Sequence, residues 1–148
     1  MDENSPMPPG TPMSRPERPI RVLLAKLGLD SHTIGITVIA KALRDAGMEV
    51  IYTGLKQTPE MVVNAAIQED ADVVGLSSLS AAHMQHLPRV AQLLREQGAG
   101  DKLVIVGGVI PAEDMPALEA AGIAKIFTMG AKTGEIVAYV RAWWAAGA

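Results

Sequence analysis

The chain has 148 residues, a net charge of −3, 49% hydrophobic residues, no cysteine, and only one Phe, two Tyr and two Trp. That length suits one domain with its own core. The missing cysteines exclude disulfides, thiolate metal sites and a cysteine nucleophile, and fit a cytoplasmic protein. The acidic balance and scarce aromatic platforms weigh against nucleic acid as a partner. No apolar run reaches the ~20 residues that cross a bilayer, and the N-terminus lacks the order of a signal peptide.

Residues 1–19 carry Pro6, Pro8, Pro9, Pro12, Pro16 and Pro19 with few large apolar side chains. Fixed φ angles with little to bury predict a flexible, extended tail, and the domain proper is expected over 20–148. The first strand is read at Ile20 to Ala25. The polar turn Leu27-Gly28-Leu29-Asp30-Ser31-His32-Thr33-Ile34-Gly35 follows and feeds a helix from about Gly35 to Ala46, closed by Gly47. Strand two is Glu49 to Thr53. A second helix starts at Pro59, with Thr58 as N-cap and Pro59 at the first position, and runs to Glu69. Strand three is Val73 to Ser77, followed by a helix over about 84–97. Strand four is Leu103 to Val106, terminated by Gly107-Gly108. Pro111 opens a short helix to Ala121, Lys125 to Phe127 is a short fifth strand, and a last helix covers about 133–144.

The order is β-α repeated five times. The strands are continuous apolar runs, which predicts parallel strands covered on both faces. Five such units predict a doubly wound α/β sheet in the flavodoxin-like order 2-1-3-4-5, with a crevice at the carboxyl ends of strands 1 and 3. That rim collects the Asp30–His32 loop, Ser77, residues 106–109 and residues 128–130. A carboxylate beside an imidazole can fix the tautomer of a metal-binding histidine and raise its basicity. Asp30, Ser31 and Thr33 are equally good helix caps. His83 and His86, three apart without an acidic or cysteine neighbour, do not read as a zinc site. No phosphate loop, dinucleotide fingerprint or nucleophile elbow is present.

Asp30-x-His32-x-x-Gly35, then Ser77-x-Leu79, then Gly107-Gly108 resembles the three-part signature of base-off/His-on cobalamin-binding domains. Lys26-x-Gly28-Leu29-Asp30, Tyr52-Thr53-Gly54-Leu55, Gln57-Thr58-Pro59-Glu60, Ala82-His83 and Gly107-Gly108-Val109-Ile110-Pro111 are similar to the acyl-CoA mutase branch. The likeness is greatest to the separate small subunits of isobutyryl-CoA and 2-hydroxyisobutyryl-CoA mutases. It covers residues 19–144.

The resemblance implies adenosylcobalamin as cofactor and a radical carbon-skeleton rearrangement. His32 would be the lower cobalt ligand, Asp30 would hold its other ring nitrogen, and Lys26 would stand behind Asp30. Ser31, Thr33, Ile34, Gly35, Ser77, Leu79, Gly107, Gly108, Val109, Phe127, Thr128 and Gly130 would line the cofactor site. It further implies a large acyl-CoA-binding subunit, since 148 residues do not hold a roughly 250-residue barrel. The assembly would be α2β2, and a G-protein chaperone is a further partner of the kind the resemblance brings. The loop departs from the branch's usual Asp-Gly-His-Asp-Arg-Gly at Ser31, Thr33 and Ile34, and in this it looks somewhat like the glutamate mutase small subunit, so the small subunit of a glutamate-mutase-like isomerase is an alternative reading. A corrinoid carrier for methyl transfer is another reading. A phospho-receiver domain shares the topology, but Ser77 stands where its acceptor Asp would be.

Overall fold

The computed structural model describes residues 18–26, 34–54, 57–78, 83–108, 110–128 and 131–147. The loop carrying Asp30, Ser31, His32 and Thr33 lies outside them, as do Leu79, Val109, Gly130 and the first 17 residues. Five strands, β1 (Arg21–Lys26), β2 (Glu49–Tyr52), β3 (Val73–Ser78), β4 (Leu103–Gly108) and β5 (Lys125–Phe127), form one parallel sheet in the order β2-β1-β3-β4-β5. The expected doubly wound order is therefore the one adopted. Five α-helices connect and close it: α1 (Ile34–Asp45), α2 (Pro59–Gln68), α3 (His83–Glu96), α4 (Met115–Ala121) and α5 (Thr133–Ala146). A 3₁₀ turn at Ala112–Asp114 leads into α4.

Two apolar layers cover the two faces of the sheet. On one face Leu23, Ala25, Val74, Leu76, Val104 and Val106 pack against α2, α3 and α4. On the other, Val22, Leu24, Val73, Leu103, Ile105 and Phe127 pack against α1 and α5. Successive residues of a strand alternate between faces, so each apolar run feeds both cores at once. In α1 the buried positions Ile36, Ala40 and Leu43 recur at helical spacing and put one stripe on the sheet.

Local signals work as expected at several ends. Gly47 has φ +90° just beyond α1, a conformation that L side chains rarely adopt. The Thr58 hydroxyl accepts from the Met61 backbone N–H at 3.2 Å, with Pro59 at the first position of α2. Two expectations need correction. Gly107 and Gly108 do not terminate β4; they pair with Ser77 and Ser78 and extend the ladder. Glycine keeps both backbone hydrogen-bonding groups, and the neighbouring strand offers partners to the same height. β2 is an edge strand, with Glu49 exposed and the rest half-buried, so it is not covered like the central strands. Helix α3 begins at His83 and carries Pro88 in its interior.

Arg18, at the end of the expected tail, is held against the domain. Its guanidinium donates to both carboxylate oxygens of Asp72 at 2.8 and 2.9 Å, and lies 5.4 Å from the centre of the Trp144 ring.

Candidate functional site

The register of the four strands β1, β3, β4 and β5 builds the site. Lys26 pairs with Ser77, Ser77 with Gly107, and Gly107 with Phe127, so these four residues form one rung at the carboxyl edge. Two residues below, Leu24, Gly75 and Ile105 form the next rung on the same face. Lower still, Val22, Val73 and Leu103 fill the space under α1 and α5. Bulk is therefore present at the bottom of this face and missing near the top, where Gly75, Ser77 and Gly107 stand. The result is a cavity of about 380 Å³ between the sheet, α1 and α5. Pockets that bury small ligands start near ~300 Å³, so this one suits a base with its sugar better than a whole macrocycle.

The glycines leave that space open without being forced to by the protein itself. A Cβ at Gly35, in the first turn of α1, would meet nothing within 4 Å. At Gly107 the nearest atom would be the Phe127 carbonyl oxygen at 3.9 Å. Gly75 differs: a Cβ there would sit 2.6 Å from Leu24 Cδ2, so its bareness lets the Leu24 side chain lie flat on the sheet. Phe127 forms one wall and is fixed by an edge-on contact with Tyr139 of α5, at 5.8 Å between ring centres and 82° between planes.

Among the described residues Lys26 is the one charged side chain lining the cavity, and it is 2% exposed. Its backbone is braced on both sides. β3 pairs with it at Ser77, and the Gln57 backbone N–H donates to the Lys26 carbonyl at 3.0 Å. The Gln57 side-chain amide donates in turn to the Thr53 carbonyl at 3.2 Å. The Thr53 backbone N–H donates to the Leu24 carbonyl at 3.1 Å. The point where β1 ends and the Asp30–His32 loop begins is thus clamped between two neighbours.

Of the residues singled out in the sequence, Lys26, Gly35, Ser77, Gly107, Gly108, Phe127 and Thr128 come together around this cavity. Ile34 enters α1 beside Gly35. Asp30, Ser31, His32, Thr33, Leu79, Val109 and Gly130 fall outside the described residues. No cluster of three metal-ligating side chains occurs among the described residues. The Nδ1 atom of His86 is buried without a hydrogen-bond partner there. Sequence reasoning missed the lower half of the cavity: Leu24, Gly75 and Ile105 on the sheet, Ile39 on α1, and Ile136 on α5. The signal was available for the strands, because each of those residues stands two before a residue at the rim and so faces the same way.

In doubly wound domains ligands bind in the crevice at the carboxyl edge of the strands, at a topological switch point, and this cavity lies at that edge. The B12 binding domain family model matches residues 20–138, and the chain belongs to that family. Within it the chain falls among the separate small subunits of acyl-CoA mutases. It is 51% identical over 130 residues to the 2-hydroxyisobutanoyl-CoA mutase small subunit of Aquincola tertiaricarbonis, covering 88% of this chain and 96% of that one. It is 48% identical over 125 residues to the pivalyl-CoA mutase small subunit of Xanthobacter autotrophicus, covering 84% of each. Among solved structures, a cobalamin-binding protein from Desulfitobacterium hafniense superposes with a TM-score of 0.73 at 21% identity. The match covers 84% of this chain and 59% of that one, and at that identity it speaks for the fold alone. No helix among the described residues is long and apolar enough to cross a membrane.

Proposed function

We propose that this chain holds adenosylcobalamin base-off, with the nucleotide tail in the cavity and His32 as the lower cobalt ligand. It acts as the small subunit of an acyl-CoA mutase. The observation that carries this reading is the cavity itself. It opens at the rung formed by Lys26, Ser77, Gly107 and Phe127, directly beside the strand end that leads to Asp30 and His32. When bound, adenosylcobalamin would supply radical chemistry.

The chain's own part is to bind and orient. Gly35, Ser77 and Gly107 admit the tail close to the backbone. The Ser77 and Thr128 hydroxyls, both lining the upper cavity, can take hydrogen bonds from its sugar. Imidazole suits cobalt, and a carboxylate on the far ring nitrogen orients it and strengthens its donation. Asp30 has that role. A buried ammonium persists only where it is paired or hydrogen-bonded, and Asp30, four residues beyond Lys26, is the carboxylate we assign to it. Ser31, Thr33, Ile34, Leu79, Val109 and Gly130 complete the rim.

The large subunit supplies the acyl-CoA site and covers the opposite face of the corrin, in an α2β2 assembly in the cytoplasm. A G-protein chaperone that loads the cofactor would meet the same rim. Ser31, Thr33 and Ile34 depart from the branch's usual loop while Asp30 and His32 are kept, so the departure bears on the substrate assignment more than on the cofactor.

The test is electron paramagnetic resonance of cob(II)alamin bound to ¹⁵N-labelled protein in the assembled enzyme. Coupling to a ¹⁵N nucleus is expected, and it should disappear in His32→Ala while far-UV circular dichroism is unchanged. Coupling only to ¹⁴N, from the cofactor's own unlabelled base, would overturn the assignment.

A further inference from the structure

We propose that the free edge of β5, with the flank of α5 beside it, is a contact surface for a second copy of this chain, paired about a two-fold axis. The inference does not depend on how the cavity is filled.

The sheet ends in β2 on one side and β5 on the other, and the two edges are finished differently. At β2 the backbone groups of Val50 point outward, and Arg44 of α1 covers one of them by donating to the Val50 carbonyl at 3.3 Å. At β5 no hydrogen bond from a described side chain does the same. The Leu103 backbone N–H donates to the Asp72 carbonyl at 3.0 Å, which turns Leu103 and Ile105 toward β3 and Val104 and Val106 toward β5. Ile126 stands opposite Val106, so its own N–H and C=O point away from the sheet. Beside this edge runs a shallow groove lined by Lys125, Thr128, Glu135 and Tyr139. Lys125 and Glu135 are exposed, and neither side chain has an ion pair or a hydrogen bond among the described residues. On α5, Glu135, Tyr139, Ala142 and Ala146 recur at helical spacing, on the flank opposite the one where Arg141 reaches the end of α1. Ala142 and Ala146 are exposed, so beyond Tyr139 this flank is bare of bulk and lets another helix approach closely.

A lysine on a sheet edge ordinarily deters strand addition. It admits a strand whose owner brings a carboxylate to it, and this chain does so for itself. Antiparallel pairing centred on Ile126 lets the two Ile126 residues exchange both backbone hydrogen bonds, and it sets each Lys125 opposite Phe127 of the other copy. Tyr139 stands edge-on to Phe127, and Glu135 is one turn nearer the start of α5. Within one chain Lys125 falls two residues short of the Phe127 level, about 6–7 Å along the strand. In the pair each Lys125 comes level with Tyr139 and within reach of Glu135 of the other copy, so an ion pair closes on each side of the axis. The two sheets then run in opposite directions. Their cavity mouths face away from each other, and each stays open to a large subunit.

The test is sedimentation velocity of the full chain over a concentration series, with amide hydrogen exchange followed by NMR. A reversible dimer is expected. The Ile126 amide should exchange freely in dilute protein and become protected as the dimer forms, while the Phe127 amide, which faces β4, stays protected throughout. Lys125→Glu and Glu135→Lys should each weaken the dimer by about 10-fold or more, because each brings like charges together. Combining them should restore it to within about 3-fold of wild type, because the pair is remade with its signs exchanged. Should a reversed variant fail to fold by circular dichroism, Lys125→Ala and Glu135→Ala carry the test, each with a loss of about 3-fold to 10-fold. A monomer at every concentration would overturn the proposal. A dimer indifferent to both charge changes would overturn it too, because it would form through another surface. Protection of Ile126 that appears only when the large subunit is added would give the edge to that partner and rule out the second copy.

Discussion

The Gln57 backbone N–H donates to the Lys26 carbonyl at 3.0 Å, so the last residue of β1 is held from the β2 side as well as by its pairing with Ser77 on the β3 side. The Asp30–His32 loop leaves from a fixed end. The Gln57 side chain keeps the 53–57 connection closed through the Thr53 carbonyl, at 3.2 Å. Gln57→Ala removes that closure while leaving the backbone bond available. A single hydrogen bond of this kind is worth about 0.5–1.5 kcal/mol. Cobalamin affinity of the assembled enzyme should fall by about 2–10-fold with circular dichroism unchanged. Wild-type affinity in a titration would show that the brace does not reach the loop.

Asp30→Asn should keep the fold, because Ser31 and Thr33 remain as capping residues. A neutral amide is a poorer partner for the far ring N–H of His32, and losses of this kind cost ~10–100-fold in affinity or activity. Turnover and cofactor affinity at the wild-type level would remove Asp30 from the relay.

Arg18 and Asp72 make acid stability measurable. Burial by itself pushes the Asp72 carboxyl up. The hydrogen bonds from the Arg18 guanidinium and the Arg21 backbone N–H outweigh it, and the net pKa lies below the ordinary value. A carboxyl depressed in the folded state gives stability that is complete above its unfolded pKa of about 3.9. That stability is lost as pH falls through the lower, folded value. Asp72→Asn should therefore cost about 1.5–3 kcal/mol at pH 7, and urea unfolding curves of mutant and wild type should converge below pH ~4. A constant difference across that range would show that the pair does not control the acid limb.

Tyr52 has a buried hydroxyl with no hydrogen-bond partner among the described residues, and burial raises its pKa. Tyr52→Phe removes the unsatisfied group and keeps the ring that packs near α1. Thermal unfolding should be unchanged or shifted upward, by up to about 1 kcal/mol of stability. A clear loss of stability would mean that the hydroxyl has a partner in the folded protein.

By itself the sequence determined the order of elements, the topology and several residues that line the upper part of the cavity. Continuous apolar runs such as Leu103-Val104-Ile105-Val106 are the pattern of central strands buried on two faces, though the edge strand β2 departs from it, and right-handed crossovers leave few ways to arrange five strands. Small residues at strand ends, Ser77 and Gly107 above all, marked where a ligand could approach. Tertiary structure decided the rest, because register is not written in any one strand. Only pairing shows that Lys26, Ser77, Gly107 and Phe127 share one rung, that Leu24, Gly75 and Ile105 lie beneath them, and that Gly107-Gly108 continue β4 rather than end it. Ile39 and Ile136 are 97 positions apart and read from the chain as ordinary helix-core residues. They became walls of one cavity when α1 and α5 packed on the same face of the sheet, over a patch where the strands carry too little side chain to fill the space.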